Sequence, residues 1–198
     1  ALVHSAAGGV GNALVQLCKA AELRVIAVVN GPHKVAAAKA AGADLVIDKQ
    51  AQALWPTVEA AAPQGVDAAF DANGVETLKQ SYLHLAAAGK LVVYGFATMF
   101  SRGREKPNYL KLARDYLRTP RFNPLEMTNE NRSVLAFNLS YLFDSNQLLQ
   151  QAMSALEALC RKKLIAAPAT TSFPLAQAGE AHRALQSGST IGKLVLLP

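Results

Sequence analysis

The stretch that decides the fold is Leu2-Val3-His4-Ser5-Ala6-Ala7-Gly8-Gly9-Val10-Gly11, an apolar run that leads into a glycine-rich turn. It predicts a buried strand, a tight turn and a helix start, the context in which such glycines bind a dinucleotide. Gly8 lets the backbone approach a pyrophosphate, Gly11 lets the helix pack on the strand, and free N–H groups attract the anion. The candidate ligands of this turn are Ala7, Gly8, Gly9, Val10 and Gly11. Ala6 stands where the first glycine of the dinucleotide fingerprint is expected, so an ordinary strand-to-helix turn stays the alternative.

Beyond this turn, short β-rich runs alternate with segments of helical period. This pattern predicts an α/β protein of the Rossmann type, a doubly wound parallel sheet in three αβα layers. Strands are predicted at 1–5, 24–29, 45–48, 66–71, 90–94 and 134–138, with four helices between the first five. The first helix is expected to pack on the sheet through one stripe of side chains, namely Val10, Leu14, Leu17, Cys18 and Ala21.

The second half of the chain departs from this alternation. A segment with three prolines is predicted to be an inserted lid or loop with one amphipathic helix near 108–117. A long helix at about 145–162, a short strand at 170–173, a helix near 175–186 and a terminal strand at 193–197 complete the prediction. We expect a cofactor domain over residues 1–163, with a basic insert at about 98–132, and a separate segment over 164–198.

Composition narrows the class of protein. Hydrophobic residues make up 51% and charged residues 17%, which fits a folded, soluble α/β protein. No apolar run suits a membrane span and no signal segment is visible, so a cytoplasmic location is the default expectation. The two cysteines, Cys18 and Cys160, are interpreted as small core residues on separate helices. The four histidines lack paired spacing, so we expect no metal site.

The net charge of +6 is concentrated in the insert. Between Phe100 and Arg132 there are eight Lys/Arg against four acidic residues. Aromatic side chains are not interleaved with the basic ones as a base-stacking surface requires, so nucleic acid is not the expected partner. A solvated loop is favoured, and weak membrane association stays open.

The ends of the predicted strands supply the remaining site residues, because ligands of open α/β sheets bind there. Asn30 replaces the acidic residue that usually binds the adenosine ribose of NAD, and Lys34 and Lys49 follow closely. A neutral side chain with two lysines favours NADP(H) over NAD(H). After strands four to six, the candidates for ribose and nicotinamide contacts are Asn73, Gly95, Phe96 and Phe137. Asp71, at the end of a buried strand, is expected to bond backbone groups.

These residues resemble the medium-chain dehydrogenase/reductase superfamily in its zinc-independent quinone oxidoreductase branch. The likeness covers nearly the whole chain, from Val3-His4-Ser5 through Gly11 to Gly192-Lys193-Leu194-Val195-Leu196. The insert, from Tyr109 to Leu142, is similar to the VAT-1 group of synaptic vesicle proteins.

The resemblance implies an NADPH-dependent reductase of quinones or α,β-unsaturated carbonyls. By position, Gly8 to Gly11 would hold pyrophosphate and Lys34 the 2′-phosphate, while Gly95, Phe96 and Phe137 would line the nicotinamide. Lys49 stands where many relatives have a tyrosine. Family members commonly form homodimers through the sixth strand. They also carry an N-terminal catalytic domain that this chain lacks, so catalytic residues stay unknown and residues 164–198 would pack on the absent part.

Two other functions stay open at this point. One is a VAT-1-like protein that binds NADPH and serves a membrane or protein partner through the insert. The other is an enoyl reductase module cut from a polyketide or fatty-acid synthase.

Overall fold

The computed structural model describes residues 1–98 and 108–198. Its centre is a parallel six-stranded sheet in the order β3-β2-β1-β4-β5-β6. The strands are β1 (Leu2–Val3), β2 (Ile26–Val29), β3 (Leu45–Asp48), β4 (Val66–Asp71), β5 (Leu85–Val93) and β6 (Ser133–Ala136). The helices are α1 (Gly9–Ala20), α2 (Val35–Ala40), α3 (Leu54–Ala61), α4 (Leu78–Leu83), α5 (Tyr109–Arg118), α6 (Pro124–Glu130), α7 (Asn146–Arg161) and α8 (Ala178–Ser187). The predicted doubly wound Rossmann fold is confirmed.

The sheet is buried on both faces, as its apolar strands require. Successive residues of a strand point to opposite faces, so Leu2 and Val3 belong to two different apolar clusters. The cluster around Leu2 includes Val58 of α3 and Leu78 of α4. The cluster around Val3 includes Val15 of α1 and Ala38 of α2, so each face is covered by its own pair of helices.

Helix α1 packs on the sheet through a different stripe from the predicted one. Its buried residues are Gly11, Val15 and Cys18, whereas Val10 is 50% exposed. The buried stripe is therefore rotated by about one residue from the expected one. The reason lies at Gly11, where the absence of a side chain lets the helix approach the preceding turn more closely than Val10 could.

The insert holds two helices where one was predicted. Helix α5 begins after Asn108, whose side chain accepts a hydrogen bond from the Lys111 N–H at 2.9 Å. Helix α6 follows, with Pro124 in its first turn and Asn123 as its cap. The basic residues Arg102, Arg104 and Lys106 lie outside the described residues.

The end of the chain forms a separate parallel pair of strands, β7 (Thr170–Pro174) and β8 (Lys193–Leu197), joined by α8. The preceding helix α7 has no buried residue, and Cys160 on it is exposed, so its interpretation as a core residue is wrong. Among the described helices, none combines the length and the apolar character needed to cross a bilayer.

Candidate functional site

A cleft of about 400 Å³ lies at the carboxyl ends of the central strands. It lies between β1 and β4, where the strand order changes direction. This switch point is the usual ligand position of such sheets. Six of the residues predicted as cofactor ligands line it, namely Ala7, Gly8, Asn30, Lys34, Lys49 and Asn73.

The glycine-rich turn leaves an anion-binding surface at the start of α1. Gly8 donates its N–H to Ser5 O at 3.0 Å, and the first bond of the helix runs from Asn12 N to Gly8 O at 2.8 Å. Gly9 N–H takes part in the parallel bridge between Gly8 and Gly192, so the N–H groups of Val10 and Gly11 are the ones without an acceptor among the described residues. The first turn also contains no acidic side chain to neutralise the helix dipole.

At Gly11 the chain is packed too closely for a side chain. A Cβ atom at this position would lie within 2.8 Å of Ala6 Cα and would overlap Ser5 O still more closely. Gly9 is crowded from the other side, because a Cβ there would meet Lys193 Cε at 2.6 Å. Gly9, Val10 and Gly11 do not line the cleft wall.

The cleft contains basic side chains. Asn30, Lys34 and Lys49 come from three different positions in the sequence and line the same cavity. The nearby carboxylate of Asp48 accepts hydrogen bonds from Gly31 N at 2.8 Å and Gln50 N at 3.1 Å, so it organises the loops that carry these residues. The Lys34 ammonium group donates to the Gly188 carbonyl.

The loop after β4 is shaped by Asp71. Asp71 Oδ1 accepts from Asn73 N at 2.8 Å and from Gly74 N at 3.2 Å, as expected for an acidic residue at a strand end. Asn73 Oδ1 in turn accepts from Ser5 Oγ at 3.0 Å. This bond connects the loop after β4 to the turn after β1, so the two strand ends present their groups to the cleft together.

The candidates after β5 and β6 lie outside the cleft lining. Phe96 is 38% exposed and packs beside Gly74, where a Cβ would come within 2.8 Å of its ring. Phe137 is 52% exposed, one residue beyond β6. Burial raises the pKa of Tyr94, next to Gly95, to about 12, so its phenol stays protonated at neutral pH.

The opposite wall comes from the end of the chain, which sequence reasoning did not place in the site. Leu185, Gln186, Gly188 and Thr190 line the cleft. Gly192 N donates to Ala7 O at 2.9 Å, and His33 Nε2 lies 3.0 Å from Ser189 O. The polar residues after α8 can be seen in the sequence, but nothing in their local pattern indicates which distant loop they contact.

Metal ligands do not assemble in the described ranges. Within residues 1–98 and 108–198, no group of three or more His, Cys, Asp or Glu side chains is arranged to hold an ion. A polar cluster is formed by His4, Ser81 and Asp71, but all three side chains are fully buried behind the cleft.

Comparison with known proteins places this geometry in a family. Residues 9–158 match the family model described as zinc-binding dehydrogenase. The chain belongs to this family. The superfamily and the VAT-1-like character predicted from the sequence are confirmed by the matches that follow.

A VAT-1 homolog of synaptic vesicle membranes from Danio rerio is 32% identical over 195 residues, which are 98% of this chain and 40% of the relative. A mycobacterial protein solved in complex with NADPH is 28% identical, with a TM-score of 0.78 over 100% of this chain and 56% of that one. The quinone oxidoreductase from Thermus thermophilus, also solved with NADPH, is 27% identical, with a TM-score of 0.75 over 96% of this chain and 55% of that one. The chain thus spans about half the length of these relatives.

Proposed function

We propose that this chain is the NADPH-binding half of an oxidoreductase that reduces quinones or α,β-unsaturated carbonyls. The observation that carries the proposal is the cleft itself, which is lined by Gly8 at the start of α1 together with Asn30, Lys34 and Lys49. The two relatives solved with NADPH share this fold over nearly the whole chain.

The pyrophosphate is expected at the N-terminus of α1. Two N–H groups without an acceptor in the described chain and the positive end of the helix dipole stabilise a negative ligand there. Gly8 lines the cleft without a side chain, so phosphate oxygens can approach the backbone.

The 2′-phosphate is expected between Lys34 and Lys49. Asn30 carries no charge that would repel a phosphate, and both lysines line the same cavity. Binding would bring the phosphate to the ammonium group of Lys34, which also donates to the Gly188 carbonyl.

The experiment is a titration of the chain with NADPH and with NADH. We expect NADPH to bind at least tenfold more tightly, on the order of the energy of one charge-assisted hydrogen bond. Lys34→Gln should narrow this gap, while Lys39→Gln, an exposed lysine of α2, should leave it unchanged. Equal affinity of the wild-type chain for both cofactors contradicts the NADP assignment.

The substrate class is the finer part of the proposal. Bound NADPH supplies the hydride, and the quinone or enone gains that hydride and one proton as the cofactor is oxidised to NADP⁺. This substrate class is supported by the name of the Thermus relative, which is a quinone oxidoreductase. Consumption of NADPH by the full-length protein with a panel of quinones and enones tests it, and inactivity across the whole panel contradicts it.

A second candidate function is attachment to an anionic lipid surface, which a specific feature of α5 favours. Four large side chains on one stripe of this helix point to solvent with exposures from 68% to 85%, namely Tyr109, Leu110, Tyr116 and Leu117. The charged side of the helix faces the protein instead, because Asp115 is buried and pairs with Lys111 at 3.0 Å. Two arginines of the same helix, Arg114 and Arg118, are also exposed.

Sedimentation with vesicles tests this candidate. We expect binding to vesicles that contain phosphatidylserine and little binding to pure phosphatidylcholine, because the arginines add attraction to anionic headgroups. Tyr116→Ser with Leu117→Ser should abolish it. The matched control is Leu125→Ser, which removes an equally exposed leucine from α6, at 76% exposure. Equal sedimentation of the α5 variant and the wild type contradicts a lipid role for this stripe.

A further inference from the structure

Three fully buried polar side chains, His4, Ser81 and Asp71, form a connected row behind the cofactor cleft. Ser81 Oγ donates to Asp71 Oδ2 at 2.9 Å, and His4 Nε2 lies 3.0 Å from Ser81 Oγ. His4 follows β1, Asp71 ends β4 and Ser81 lies on α4. The row therefore spans the two strands whose ends carry the glycine-rich turn and the Asn73 loop.

The hydrogen-bond directions in this row follow from the protons available. Ser81 has a single hydroxyl proton, which it gives to Asp71, so its oxygen must accept from His4. His4 is then a neutral imidazole with its proton on Nε2. Its Nδ1 atom is buried without a hydrogen-bond partner among residues 1–98 and 108–198, and the ring packs edge-on against Trp55 at 5.9 Å. Burial also lowers the pKa of His4, in agreement with a neutral ring.

The far end of the row controls the loop that lines the cleft. With Oδ2 held by Ser81, Asp71 uses Oδ1 to accept from Asn73 N and Gly74 N. Asn73 is then held from two more sides, by Ser5 Oγ on its side-chain oxygen and by Thr98 Oγ1 at 2.6 Å on its carbonyl. These bonds occupy both oxygens of Asn73, and its side-chain NH₂ group has no acceptor within the described residues.

We propose that Ser81 is a positioning residue for the cofactor, which fixes Asp71 so that the Asn73 NH₂ group can donate to the ribose or carboxamide of the nicotinamide half. Ser81 itself does not touch the ligand, because it is fully buried and lies outside the cleft lining. The inference rests on the proposed NADPH site and adds a part to it that neither sequence motif nor cleft lining identifies.

The test compares NADPH affinity in four forms of the chain, namely wild type, Ser81→Ala, Asn73→Ala and the double variant. We expect Ser81→Ala to weaken NADPH binding about tenfold, the effect of losing a buried hydrogen bond to a charged group. Because Ser81 acts through Asn73, the double variant should bind no more weakly than Asn73→Ala alone. Additive losses overturn the proposal. A wild-type chain that binds no NADPH instead contradicts the proposed function.

Two further variants separate positioning from folding. Ser81→Thr keeps the hydroxyl group and should restore most of the affinity lost in Ser81→Ala. Thr77→Val is the matched control, since the Thr77 hydroxyl is buried at the start of the same helix and has no hydrogen-bond partner in the part of the chain that the structure describes. It should bind NADPH like the wild type, and a loss equal to that of Ser81→Ala would overturn the proposal.

A spectroscopic measurement on the wild-type chain tests the hydrogen-bond order without cofactor and without any variant. The ¹⁵N chemical shifts of His4 in the wild-type chain should be those of a neutral ring protonated on Nε2 at neutral pH. A ring protonated on Nδ1, or a charged imidazolium, is incompatible with the hydrogen-bond order and overturns the proposal.

Discussion

Replacement of Gly11 by alanine tests the packing that determines how α1 sits on the sheet. The added Cβ would lie 2.8 Å from Ala6 Cα and from the Ser5 carbonyl carbon, and closer still to Ser5 O. All three atoms belong to the backbone, so none can move aside by changing a rotamer. Overpacking of this kind costs about 3 kcal/mol. The better helix propensity of alanine returns about 1 kcal/mol.

We therefore expect Gly11→Ala to lower the free energy of unfolding by about 2 kcal/mol. The matched control is Gly179→Ala in α8, where the nearest heavy atom to a new Cβ is Arg183 Nη1 at 3.6 Å, an ordinary contact. This control should be neutral or gain up to about 1 kcal/mol. Urea unfolding followed by the fluorescence of Trp55, the only tryptophan, measures both. A Gly11→Ala chain as stable as the wild type would refute the close-packing argument.

Further predictions concern pH and assembly. Burial lowers the pKa of His4 below its ordinary 6.5, so on acidification His4 takes up a proton in the unfolded chain before it does so in the folded chain. Part of the free energy of unfolding at neutral pH is therefore lost as the pH falls below 6.5. The contribution of this residue to the free energy of unfolding changes by at most about 1.4 kcal/mol per pH unit. Urea-denaturation midpoints measured at falling pH should therefore decrease less steeply in His4→Gln, whereas His182→Gln, at an exposed site, should behave like the wild type. We also propose that the open edge of β6 pairs with a second copy, so light scattering should show a dimer that Leu135→Lys, at a half-exposed site, converts to monomer. A strict monomer at high concentration for the wild-type chain contradicts that assembly.

The fold was largely predictable because its signals are local. The apolar run before Gly8 and the glycines after it define β1, the turn and α1, and the alternation with helical segments implies the rest of the sheet. The side of α1 that packs on the sheet was predicted wrongly, because a stripe through Val10 is more apolar than one through Gly11. Only the three-dimensional approach of the turn shows that the residue without a side chain must face inward.

The candidate site was predictable in part, for the same reason. Asn30, Lys34 and Lys49 follow strands, and parallel strands bring their ends to one edge, so their meeting was expected. Leu185 and Thr190 were missed because their place opposite those lysines depends on contacts across more than 130 residues, as in the bond between Lys34 and Gly188 with a separation of 154. Helix α6 was missed because the segment with three prolines was predicted to be a lid or loop, whereas Pro124 suits the first turn of a helix.

The wall formed by residues 185–190 also affects the order of events during synthesis. Strands β1 to β5 and the glycine-rich turn are complete once residue 93 has left the ribosome, but the cavity between Lys34 and Gly188 closes only near the end of this chain. Domains generally form while the chain is still growing, from the N-terminal side. The cleft can therefore close around a nucleotide only after the sheet is complete, and a ribosome that stalls before residue 185 would hold a sheet with an open, one-sided nucleotide site.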